Sequence, residues 1–278
     1  MAVRNERGAG LRRAALRRVG VAALVVATGL AVAAVATWPA LRDARTDFLA
    51  GGARNATKAG RGEAAPGDHL QSNYRLWLVG HQLGERRQPW VDPYSFQPEI
   101  GPQPNFAGWP FGLVYWPLHA LSDDVRAWNA FVLLGYLGAL GFTFLWLRAV
   151  GMRIGAAVAG GVVFALAPYR VEQSVGHLLG PVSMLLPLAL WALERARRGS
   201  PAWLLLAAAA TVSIPLSGQV HLALGTTPLV LVYALCRARR PRVLVATAAI
   251  GVSQPTKTKL SPPSRARPFW PSRGGGRC

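Results

Sequence analysis

The chain reads as an all-α integral membrane protein, a polytopic helical bundle with a large first extracytoplasmic loop. Long apolar runs recur along a chain that is 51% hydrophobic, arginines gather in short segments between them, and the histidines and carboxylates fall in the alternate connections. In a soluble protein, 31 Lys and Arg against 12 Asp and Glu would suggest nucleic acid. Here the basic residues flank apolar runs, so their partner is anionic membrane lipid and nucleic acid is excluded.

Residues 1–18 form a basic N-terminus, and residues 19–41, VGVAALVVATGLAVAAVATWPAL, follow without a charge. About 20 apolar residues cross a hydrocarbon core of about 30 Å, so this run is the first span. AVA at 34–36 resembles a signal-peptidase site. The apolar length exceeds the roughly 7 to 15 residues of a signal peptide, and the segment is read as a retained anchor.

Residues 42–126 are the large loop. Its first part, to residue 66, is a Gly, Ala and Arg-rich connector containing the glycosylation-type triplet Asn55-Ala56-Thr57. From Asp68 the residues Leu70, Tyr74, Trp77 and His81 recur at helical spacing, predicting an amphipathic surface helix with Asp68 and Gln71 as a capping pair. Residues 89–117 hold seven prolines and eight aromatics, which predicts an irregular, shaped loop. Its aromatics suit either interfacial anchoring or a platform for a lipid or sugar ring, with Asp92 and Glu99 lining the same cavity. Asp123-Asp124 before the next apolar run reads as a helix start.

Residues 127–252 supply the remaining bundle, with runs at about 127–147, 154–169, 178–193, 202–217 and 219–235 and an incomplete one from 243. Fifteen arginines, from Arg4 to Arg18 and then around 148–153, 195–198 and 237–242, fall in segments that alternate to share one side; the short connections opposite hold only Arg170. The positive-inside rule then puts the N-terminus in the cytoplasm. All five histidines and ten of the twelve acidic residues fall outside. In the short outer connection near 170–177, Arg170 is expected to pair with Glu172 or Gln173, and His177 to bond a loop carbonyl. Cys236 and Cys278 have neither disulfide nor zinc spacing.

The stretch GDHLQSNYRLWLVG after a first span, followed by WVDPYSF and the Pro-rich aromatics, resembles the start of the polytopic GT-C glycosyltransferases. PYRVEQSVGHLLGPVSMLLPLALWAL is similar to a later outer loop and span of their bacterial relatives, including the YfhO-like membrane proteins. The resemblance covers about residues 19–250. It implies a GT-C-like bundle in the bacterial inner membrane that transfers a sugar, with inversion, from a polyprenyl-phosphate donor to an acceptor on the outer face. By position it makes Asp68 the catalytic base. His69, Arg75, Asp92, Arg170, Glu172 and His177 become substrate-binding candidates, of which Arg75, Arg170 or His177 would meet the departing phosphate. A divalent metal, magnesium or manganese, would be held by Asp68 with Asp92 or Glu172. The chain departs from the family in lacking an adjacent acidic pair early in this loop, since Asp123-Asp124 lies far along it.

The run from 243 covers about 16 Å before polar residues end it, roughly half the core. Residues 253–278 are basic and Pro/Gly-rich and hold Lys257 and Lys259, two of only three lysines. The change of usage predicts a frameshifted tail and an N-terminal portion inactive by itself. A lipid or small-solute transporter of flippase type, and a non-catalytic membrane assembly protein, are the alternative expectations.

Overall fold

A computed structural model describes residues 2–49, 68–95, 101–174 and 176–237, and of residues 2–11, 13 and 68 only the backbone. The triplet at Asn55, Glu99, the run from 243 and the tail lie outside the described residues. Helix α1 (Ala2–Thr37) joins the basic N-terminus to the first apolar run and stops where Pro39 follows. A short 3-10 turn (Ala40–Asp43) leads into the outer loop, where α2 (Asp68–Gly84) and α3 (Phe111–Leu121) flank a two-stranded ribbon of β1 (Val91–Asp92) and β2 (Gln103–Pro104). The ribbon is antiparallel, with Val91 opposite Pro104 and Asp92 opposite Gln103. The expected irregular loop therefore ends at 110, because α3 forms across the last part of it and accommodates Pro117.

The axis of the bundle is α4 (Asp124–Val150), 27 residues long. Asp123 caps it, accepting the Arg126 amide at 2.8 Å, and Gly151 ends it in the left-handed region at φ 109°. The Asp-Asp pair is thus a helix start, as its place before an apolar run predicts. Helix α1 lies antiparallel to α4, and Gly29 permits the approach: a Cβ there would stand 2.6 Å from Leu137. After α4 come α5 (Ile154–Ala165), the short α6 (Pro168–Gln173) and α7 (Leu179–Val182), then α8 (Leu185–Arg198), α9 (Trp203–Leu216) and α10 (Val220–Arg237).

Contacts fix the direction of each helix. Gly161 of α5 packs on Leu140, Gly138 of α4 meets Met184 just ahead of α8, and Arg198 at the end of α8 donates to the Ala149 carbonyl. Trp203 at the start of α9 packs edge-on against Trp191, while Gly218 after α9 lies against Ala107 of the outer loop. Tyr233 of α10 reaches Trp146 at 3.0 Å. Helices α1, α4, α5, α8, α9 and α10 therefore run alternately between two ends of one bundle, with a core that includes Trp128, Phe131, Tyr136, Leu140, Leu190 and Ile214.

Among the described residues three helices are long and apolar enough to cross a membrane: Ala14–Thr37 of α1, α4 and α10. Helices α5 and α9 are apolar but shorter. The twelve residues of α5 rise about 18 Å. The expected runs 154–169 and 178–193 do not form single helices, because Pro168 restarts the chain as α6 and α7 precedes α8.

One side chain fastens the outer loop to the bundle. Buried Asn129 donates to the carbonyls of Ala44 and Asp47 at 2.7 and 2.9 Å and accepts the Leu49 amide at 2.6 Å. Replacing it with Ala leaves three backbone groups without this partner. Asn129→Ala is expected to destabilise the protein by about 1 to 3 kcal/mol. Thermal unfolding in detergent gives the loss, and hydrogen exchange should show the Leu49 amide opening first.

Candidate functional site

The end of the bundle where α4 begins carries α2, the ribbon, α3 and the segment from α6 to α7. Helices α2 and α3 pack closely because glycine stands on each: a Cβ on Gly112 would lie 2.4 Å from Val79, and one on Gly80 2.6 Å from the Trp116 ring. The turn between β2 and α3 is equally close. Gly108 sits so near the Arg75 carbonyl that no side chain fits.

Asp68 begins α2 as expected, but its carboxylate lies outside the described residues, so neither the cap with Gln71 nor a catalytic geometry can be measured there. His69 is buried and its ring packs on Phe48, with centroids 5.5 Å apart. Arg75 is half-buried on the same helix. Ser72, one turn on from Asp68, donates to the Gly176 carbonyl at 2.8 Å. That bond sets the first turns of α2 against the segment carrying Glu172 and His177, both exposed.

Asp92 does not line a cavity. It is 2% exposed and accepts five hydrogen bonds, from the Tyr74 hydroxyl (2.6 Å), the amides of Tyr94 and Ser95 (3.0 and 3.1 Å), the Ser95 hydroxyl (2.7 Å) and the Asn105 side chain (3.0 Å). Burial alone would raise its pKa, but the bonds from Tyr74, Asn105, Ser95 and Tyr94 prevail and hold the carboxyl well below the usual range. Tyr74 is pushed up to about 12, by burial first and then by its bond to this carboxylate. Asp92 thus ties the ribbon to α2, and its expected part in substrate or metal binding is corrected.

Arg170 is corrected as well. It is 3% exposed and donates to Ser183 Oγ at 3.1 Å, to the Ala165 carbonyl at 3.1 Å and to the Gly135 carbonyl at 2.6 Å, with its guanidinium 4.6 Å from the centre of the Tyr136 ring. Among the described residues no carboxylate pairs with it, so the expected bridge to Glu172 is replaced by these bonds. The physical reason is the early end of α5. Ala165 is its last residue, whose carbonyl has no helical donor, and a cation there also meets the negative end of the helix dipole.

Two features went unread in the sequence. Between α2 and α3 lies a cleft of about 250 Å³, lined among others by Trp77, His81, Glu85, Tyr115, Trp116 and His119. His81 stacks on Trp77 at 4.3 Å between centroids and meets the Tyr94 hydroxyl at 2.7 Å through Nε2, while His119 Nε2 meets Asp124 at 2.8 Å. The Trp77 and His81 spacing along α2 was visible, but its pairing with Trp116 and His119 depends on the fold. At the opposite end, Glu194 is 1% exposed and binds Arg197, Arg237 and the Tyr233 hydroxyl at 2.8, 2.8 and 2.9 Å, joining α8 to α10.

Among the described residues no group of three or more His, Cys, Asp or Glu side chains is placed to hold a metal. Both Asp92 oxygens accept hydrogen bonds, and the Asp68 carboxylate of the expected metal pair lies outside the described residues. No protein-family model, curated protein or solved structure matches the chain.

The Asp92 knot predicts an acid-sensitive ribbon. Its folded pKa lies below the unfolded value of about 3.9, so its stabilisation is complete above that pH and is lost as the pH falls through and beneath it. Limited proteolysis between 91 and 105 should therefore accelerate on acidification in the wild type. Asp92→Asn should be cut faster at neutral pH and lose much of that acid dependence.

Proposed function

We propose that the chain is a membrane glycosyl-transfer protein of GT-C type, acting at the outer end of its bundle on a polyprenyl-phosphate sugar donor. The observation that supports this most is the Ser72 to Gly176 hydrogen bond, which joins positions 104 residues apart. It sets the opening of α2, where Asp68 and His69 stand, beside the segment with Glu172 and His177. Those are the two regions in which the resemblance to the family lies.

Inverting transfer needs a carboxylate to take the acceptor's hydroxyl proton while positive groups stabilise the departing phosphate. In this reading Asp68 is the base, and Arg75 and His177 face the phosphate. Asp92 and Arg170 act beneath them, holding the ribbon to α2 and the segment after α5 to α4. Helices α1, α4 and α10 cross the bacterial inner membrane, and the shorter traverses α5, α8 and α9 complete six passages with the N-terminus in the cytoplasm. A transporter would keep a buried charge able to change partners; Arg170 and Glu194 are instead each held by three groups.

Membranes carrying the full-length protein, as wild type or Asp68→Asn, supplied with a labelled polyprenyl-phosphate sugar, test the proposal. Loss of a general base should slow transfer by at least about a hundredfold, with membrane insertion unchanged. Transfer at the wild-type rate in Asp68→Asn would remove Asp68 from the mechanism.

A further inference from the structure

The cleft between α2 and α3 is not the place where Asp68 would work. Thirteen residues of helix separate Asp68 from His81, a rise of about 20 Å, so a ring in the cleft is far from the proposed base. The cleft has its own chemistry. Trp116 is 42% exposed, and the negative face of an indole attracts the polarised C–H groups of a sugar ring. His81 and His119 each use Nε2 within the protein, leaving Nδ1 without a partner among the described residues. Glu85 is exposed, with no ion pair among the described residues, and supplies an acceptor for hydroxyls.

Size and charge narrow the ligand. A volume of about 250 Å³ lies below the roughly 300 to 1,000 Å³ of pockets for drug-sized molecules, and suits one six-membered ring. Among the described residues no Lys or Arg lines the cleft, although Arg86 and Arg87 follow Glu85 in the chain. A carboxylate and two imidazoles without a fixed cation make a poor seat for a phosphate. They suit a neutral polyol, whose hydroxyls both donate and accept. Gly80 and Gly84 keep the α2 wall low: a side chain on Gly80 would displace Trp116, and one on Gly84 would meet nothing within 4 Å.

We propose that this cleft binds a neutral sugar ring of the acceptor remote from the hydroxyl that reacts, separate from the site that takes the phosphate-linked donor. The acceptor assignment rests on the transfer reading, whereas sugar binding itself does not. Saturation-transfer NMR on the full chain in detergent micelles can test it, with the methyl glycosides of glucose, mannose and galactose as probes and their glycosyl phosphates for comparison. At least one methyl glycoside should bind saturably and more tightly than its phosphate. Trp116→Ala and Glu85→Gln, both at exposed positions, should each weaken binding by about tenfold, while Asp68→Asn leaves it unchanged.

Absence of saturable binding by all three glycosides, tighter binding of the phosphates, or equal binding by the wild type and both cleft variants would overturn the proposal. Glycoside binding without any transfer from a polyprenyl-phosphate sugar would sink the transfer reading and leave the sugar cleft standing. Transfer that proceeds with no glycoside bound would sink the cleft alone.

Discussion

Holding an arginine or aspartate at the centre of a membrane helix costs about 2.5 to 3.5 kcal/mol, and the placement of charge in this bundle, three of whose described helices are long and apolar enough to span, follows that cost. Arg148, Arg153, Arg195, Arg197, Arg198 and Arg237 gather at one end of the bundle, while His69, His81, His119 and His177 stand at the other with Asp92, Asp123, Asp124 and Glu172. The two charged groups drawn inside are neutralised in different ways. Glu194 meets two arginines and a tyrosine, and Arg170 meets the Ala165 carbonyl left open where α5 stops, the Gly135 carbonyl of α4 and the Ser183 hydroxyl. Both bonding sets join helices, so the polar groups that hydrocarbon would exclude become fasteners of the bundle.

The same economy shapes the outer end. Asn129, Asp92 and Ser72 each connect segments distant in sequence, and each is buried with its bonds satisfied. They hold the outer loop against α4, the ribbon against α2, and α2 against the turn at Gly176. The exposed groups Glu85, Glu172 and His177 are thereby presented on a supported surface. Positioning and chemistry are divided between different residues, and in a site built this way buried carboxylates such as Asp92 are the supports.

Legibility followed the range of the interactions. The span at 127–147, the cap at Asp123 and the start of the surface helix at Asp68 depend on neighbours a few residues away, and the chain shows them directly. The turn of Asp92, which accepts the amides of Tyr94 and Ser95, is just as local but was read as a cavity wall. Its saturation was not legible, because Tyr74 and Asn105 complete it from elsewhere. Arg170 and Glu172 looked paired because they are near in sequence; the open carbonyl at Ala165 made a better partner, and only the end of α5 reveals it. The paired walls of the α2–α3 cleft are likewise a product of packing at Gly80 and Gly112.

In the proposed function the two unlike ends of the bundle face opposite sides of a membrane. The most direct test is labelling of single cysteines by a membrane-impermeant maleimide, with Glu172→Cys at one end and Ser200→Cys at the other, in a Cys236→Ser, Cys278→Ser background. In intact cells position 172 should label from outside, and position 200 only after the membrane is permeabilised. Labelling of both positions from the same side would contradict the alternating traverses and the outward-facing site built on them.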